Sequence, residues 1–83
     1  MGRNGGNMRP VILYTAPGCA PCERIKDFFM KHDIPYIEAN VTVDVVGEHL
    51  AKEGIMSVPA IKYGDDNYII GYDEEVMKRE LLG

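Results

Sequence analysis

Pro10-Val11-Ile12-Leu13-Tyr14-Thr15-Ala16-Pro17-Gly18-Cys19-Ala20-Pro21-Cys22 carries two different periods side by side. Its first half, Pro10 to Thr15, is almost wholly apolar and reads as a short strand buried on both faces. From Cys19 the period becomes helical. Cys22, Ile25, Phe28 or Phe29, and His32 share one face, and Glu23, Arg24, Lys26, Asp27 and Lys31 share the other. Pro21 falls in the first helical turn, where its missing N–H costs nothing. Asp33-Ile34-Pro35 ends the helix, and Tyr36 to Ala39 reads as a second strand. Strand, helix and strand within about 30 residues form a βαβ unit, so these strands are expected to be parallel with a right-handed crossover.

Working outward, Val41 to Val46 has strand-like side chains, yet Val46 and Leu50 form a helical stripe among Glu48, Lys52 and Glu53. A helix is expected from about Asp44, as its cap, to Glu53, with Gly54 as its stop. Gly47 inside it costs roughly 1 kcal/mol relative to alanine. Pro59 to Tyr63, the turn Gly64-Asp65-Asp66, and Asn67 to Gly71 read as a hairpin. Asp73 caps a last helix, Glu74 to Leu82, with its acids first and Lys78 and Arg79 late, as the helix dipole favours. The expected order is β-α-β-α-β-β-α: an α/β fold with a four-stranded mixed sheet and helices on both faces.

The 83 residues allow one small domain. Residues 1–8, rich in Gly and Asn, read as a flexible leader, and 9–83 as the domain. Thirteen acids against nine bases give a net charge of −4, which argues against a general grip on nucleic acid through phosphate neutralisation. No apolar run approaches a membrane span, and no secretory signal is visible, so the cytoplasm is the expected location.

The two cysteines, Cys19 and Cys22, sit where the strand passes into the helix. There the Cys19 sulfur faces unpaired backbone N–H groups and the positive end of the helix dipole. Both favour the thiolate, which is the nucleophile, and lower the thiol below its free pKa of about 8.5. Cys22 lies one turn on and is expected to be more buried. That asymmetry assigns roles: Cys19 attacks a substrate disulfide, and Cys22 resolves the mixed disulfide. Two other readings of the pair remain: half of a zinc site completed by His32 and His49, or two inert core cysteines.

Ser57-Val58-Pro59 is a second constellation. Pro59 opens a strand after a loop, and its place in the element order favours a cis Val58–Pro59 bond with the Val58 backbone free for an extended substrate. Tyr14, Tyr36, Tyr63 and Tyr68 read as half-buried strand residues, and Tyr72, beside Gly71 and the last helix start, as a candidate contact or a packing residue.

From Arg9 to Leu82 the chain resembles the small glutaredoxin-like members of the thioredoxin superfamily. Four segments carry the resemblance: Leu13 to Cys22, Ile34-Pro35-Tyr36, Ser57-Val58-Pro59-Ala60 and Ile70-Gly71-Tyr72-Asp73-Glu74. It implies a thioredoxin fold and a monomeric dithiol–disulfide oxidoreductase acting on protein disulfides. Cys19 and Cys22 would be the catalytic pair, with Pro21, Val58, Pro59, Gly71, Tyr72 and Asp73 meeting the substrate. It implies no bound cofactor or metal, glutathione as a candidate co-substrate, and a reductase or glutathione as electron source. The departures matter for specificity. Glutaredoxins usually carry a base where Ala16 stands, an aromatic residue where Pro21 stands, and a glycine where Ile70 stands. Cys19-Ala20-Pro21-Cys22 is closer to the thioredoxin motif, although Leu13 replaces the buried thioredoxin aspartate and Gly18 the tryptophan. The mixture resembles small redoxins that donate electrons to ribonucleotide reductase. The alternatives are a glutathione-dependent glutaredoxin and, in a different class, a glutathione-ligated iron–sulfur cluster binder, against which Pro21 beside Cys22 argues.

Overall fold

A computed structural model of the protein describes residues 11–64 and 67–82. The expected leader, Arg9, Pro10, the turn residues Asp65 and Asp66, and Gly83 lie outside the described residues.

Strand β1 spans Val11–Thr15, helix α1 Ala20–Lys31, and strand β2 Tyr36–Asn40. Helix α2 follows at Asp44–Lys52, then strands β3 (Ala60–Tyr63) and β4 (Asn67–Ile70). Helix α3 (Glu74–Met77) continues as a π-helical turn over Lys78–Leu82. The sheet order is β2-β1-β3-β4. β1 runs parallel to β2, with Val11 opposite Tyr36 and Thr15 opposite Asn40. β3 is antiparallel to both β1 and β4, with Ala60 opposite Tyr14 on one side and Ile70 on the other.

The strand period of two separates the core into layers. Val11 and Leu13 of β1 join Ile25, Phe28 and Phe29 of α1, Ile61, Ile69 and Met77 on one face. Tyr14 joins Leu50 of α2 and Ala60 on the other, with Ile12, Ala39, Val46 and Ile55 packed around them. So α1 and α3 cover one face and α2 the other. Leu13, Ile25, Phe29 and Ile61 are fully buried, each contributing roughly 1.5–3 kcal/mol by leaving water. Tyr14 is buried outright rather than half-buried, because both β1 faces are covered.

Helices α1 and α2 end alike. Gly54, at φ +78°, donates to the Ala51 carbonyl, and Ile55 donates to that of Leu50. Asp33, at φ +54°, donates to Met30, and Ile34 donates to Phe29. Both are Schellman stops, one on the usual glycine and one on an aspartate.

Two further expectations change. Asp44 is the first helical residue of α2, and Val43 is the N-cap without a side-chain hydrogen bond. The Asn40 carboxamide and the Val43 carbonyl organise that entry instead: Thr42 N–H and Oγ1 donate to Asn40 Oδ1, and the Val46 and Gly47 N–H groups to Val43 O. The last helix is α-helical only to Met77 and then widens. Over five residues the apolar pattern cannot separate the two windings, because either one brings Leu81 back toward the core.

Candidate functional site: the Cys19–Cys22 pair

Cys19 is the N-cap of α1, in extended backbone at φ −87° and ψ 101°. Its Sγ accepts the Cys22 N–H at 3.3 Å, satisfying one of the orphan donors of the first turn. Cys22 lies inside the helix, only 1% exposed, whereas Cys19 is half-buried at the surface. The two are joined as a disulfide with their Cα atoms 5.3 Å apart. Pro21 is exposed in the first turn beside them. A single helical turn therefore holds one reachable sulfur and one sheltered sulfur.

The sheet register brings the second constellation to the same end. β1 leaves the sheet at Thr15 toward Cys19, and its neighbour Tyr14 stands opposite Ala60, which follows Pro59 directly. The Val58–Pro59 bond is cis. Pro59 is buried and Val58 half-buried. The Pro59 carbonyl accepts the Gly71 N–H at 2.8 Å, which ties this loop to the Gly71-Tyr72-Asp73 segment. Tyr72 is 36% exposed. Asp73 caps α3, its Oδ1 accepting the Val76 N–H at 3.2 Å. Cys19, Val58, Pro59, Gly71, Tyr72 and Asp73 thus lie around one end of the sheet, while His32, at the far end of α1, packs against the Phe28 ring with the two planes tilted by 51°. Among the described residues no group of three or more His, Cys, Asp or Glu side chains is placed to hold a metal ion.

A feature absent from the sequence reading lies on the β2 side of Cys19. A hollow of about 330 Å³ is lined by Cys19, the Thr15–Gly18 loop, Glu23, Lys26, Glu38 and Asn40. Lys26 Nζ sits 3.0 Å from Glu38 and 3.1 Å from Glu23. The buried Thr15 hydroxyl donates to Glu38 at 2.9 Å. The Lys26 hydrogen bond, then that from Thr15, hold the Glu38 carboxyl below its ordinary value. The Glu38 bond, then that to Glu23, raise the Lys26 ammonium. The signal for Lys26 was its place seven residues after Cys19, two helical turns along the same stripe. Glu38 had no such signal, because its partners come from other elements.

The layered sheet, the helix capped by a cysteine and the cis-proline loop beside it define a thioredoxin-fold protein built around a dithiol–disulfide pair. The glutaredoxin family profile matches residues 11–69. The chain belongs to the glutaredoxin family. It is 35% identical over 68 residues to the Gene 56 protein of Mycobacterium phage L5, covering 80% of this chain and 66% of that protein. It is also 35% identical over 69 residues to the global transcriptional regulator Spx of Staphylococcus aureus, covering 83% of this chain and 45% of that protein. The chain thus spans less than two thirds of the regulator's length. In structure it is similar to the glutaredoxin-like NrdH-redoxin of Escherichia coli, with TM-score 0.77 and 22% identity over 87% of this chain and 95% of that one. That last likeness is one of fold.

Proposed function

We propose that the protein is a thiol–disulfide oxidoreductase that reduces disulfides of other proteins. The observation that carries this is the unequal pair: Cys19 capping α1 at the surface, Cys22 buried one turn inside. In the reduced form the Cys19 thiolate attacks one sulfur of a substrate disulfide. A Cys19–substrate disulfide forms and the other substrate sulfur leaves as a thiolate. Cys22 then loses its proton and attacks the Cys19 sulfur. The Cys19–Cys22 disulfide closes and the second substrate thiolate leaves, so two electrons pass from protein to substrate. A reductase or glutathione returns them.

The finer reading is an electron donor recycled by thioredoxin reductase, with ribonucleotide reductase as the candidate acceptor, acting as a monomer in the cytoplasm. Pro21 between the cysteines, and the missing base and glycine at Ala16 and Ile70, support it over glutathione dependence. The test is insulin reduction coupled to NADPH, once through thioredoxin reductase and once through glutathione and glutathione reductase. Faster turnover through thioredoxin reductase is expected, and the reverse order would favour the glutathione-dependent reading. The Cys22→Ser protein should trap mixed disulfides with substrate while the Cys19→Ser protein is inactive. Trapping by Cys19→Ser would reverse the roles.

A further inference from the structure

Among the described residues lining the hollow beside Cys19 there is one cation, the Lys26 ammonium, and it is already engaged by two carboxylates. The partners are not equal. The Glu23 side chain is 70% exposed, so its charge is largely screened. Glu38 comes from a different element and is itself fixed by the buried Thr15 hydroxyl. Its carboxylate is thus the one whose position the fold dictates. The Thr15–Gly18 loop brings no charge to this wall and Asn40 is neutral. At the same end of the sheet, Asp73 and Glu74 open α3 with further negative charge.

We propose that Glu38 is a positioning residue for the redox pair: by clamping Lys26 against β2 it keeps the ammonium from stabilising the Cys19 thiolate, which makes the dithiol a stronger reductant. The inference rests on the proposed role of Cys19 as the reactive thiolate. When the disulfide opens, two electrons enter and Cys19 carries a negative charge on the wall of the same hollow. A free cation there would favour the thiolate, lower its pKa and make the reduced form easier to reach. A cation held by Glu38 does so less. The arrangement in the oxidised protein, with Glu38 shifted down and Lys26 shifted up by the bond they share, is what such a clamp requires.

The two halves of the clamp therefore act in opposite directions, which a loss of folding cannot imitate. The test is made on the reduced full chain without any substrate protein, reading Cys19 alkylation by iodoacetamide against pH and the midpoint of equilibration with a dithiothreitol redox buffer. Glu38→Gln should lower the Cys19 pKa, raise its alkylation rate below neutral pH about threefold, and shift the midpoint toward easier reduction. Lys26→Met leaves the Glu38 and Glu23 carboxylates without their counter-charge beside Cys19, so it should slow alkylation and shift the midpoint the other way, and Lys26→Arg should restore both. Shifts of the same sign in Glu38→Gln and Lys26→Met, or none in either, would overturn the proposal. Because no protein substrate enters, these shifts could appear in a protein that fails to reduce insulin. That outcome would sink the proposed function and leave the clamp standing.

Discussion

Alanine at position 16 and isoleucine at position 70 stand where glutaredoxins usually carry a base and a glycine. Ala16 lines the hollow beside Cys19, and Ile70 is half-exposed at the end of β4, just before Gly71. Neither side chain supports a strand core, so both can change without loss of the fold. A missing charge-assisted contact costs about 1.5–3 kcal/mol, some ten- to hundredfold in affinity. The Ala16→Lys, Ile70→Gly double variant should therefore raise turnover in the glutathione-coupled assay by about tenfold or more, with insulin reduction through thioredoxin reductase little changed. An unmodified protein that already turns over with glutathione as fast as the double variant would show that these positions do not control the choice. At this scale the placement of the cysteines was legible, one capping α1 and the other buried a turn inside, because the spacing puts them at a helix start. Glu38 was not, because its role depends on Thr15 and Lys26 arriving from β1 and α1.

Among the elements, the stops and close approaches carry the testable energetics. Asp33 sits in left-handed backbone at the end of α1, where glycine is the usual occupant. Among the described residues its carboxylate has no hydrogen bond or ion pair, so Asp33→Gly should stabilise the protein by about 0.5–1 kcal/mol in urea unfolding, against the rule that glycine weakens helices. Gly47 inverts that logic. Helix propensity predicts a gain of about 1 kcal/mol from Gly47→Ala. A Cβ at that position would lie 3.0 Å from the Val41 carbonyl oxygen. Val41 cannot retreat freely, because its N–H is bonded to Thr15 O at 2.9 Å. Gly47→Ala should thus destabilise by about 0.5–1 kcal/mol, and a gain in the unfolding midpoint would refute the contact argument. The order of elements was readable from Val11 to Leu82 because short apolar runs and helical stripes follow one another between turn and stop residues, Gly54 among them. The cap of α2 was not, since an aspartate before a helical stripe signals a cap or a first-turn acid equally well. The purpose of Gly47 was hidden for the reason that hid Glu38: the atom that needs the space belongs to another segment.

For the whole molecule, α1 is held to the sheet in two ways, by the apolar cluster around Leu13, Ile25 and Phe29 and by the polar clamp from Lys26 to Glu38 on β2. Leu13 is fully buried between the helices of one face and the rest of the sheet, so Leu13→Ala should cost about 2–5 kcal/mol and lower the unfolding temperature accordingly. The clamp is weaker, since both of its side chains meet solvent, 23% for Lys26 and 42% for Glu38, but it depends on pH where the apolar cluster does not. Glu38 titrates below its ordinary 4.5, chiefly through the Lys26 hydrogen bond. Above that value the unfolded and folded chains both hold it ionised, and its contribution is fully present. As pH falls through the lowered folded value, the carboxylate takes up a proton and the contribution is lost. Lys26 lies above its ordinary 10.5, so its share is present below that value and fades only as pH rises through the raised one. The same bond is counted once, and it is intact throughout the neutral range. The difference in urea midpoint between the unmodified protein and Glu38→Gln should therefore be widest at neutral pH and should close as the solution is acidified below the ordinary carboxylate value. Other acids will still soften both proteins, Glu80 among them, since Arg79 and then Tyr63 hold it below 4.5 as well. The difference between the two curves isolates Glu38 from them. A gap that keeps its neutral width into acid would mean that Glu38 contributes by packing rather than by charge.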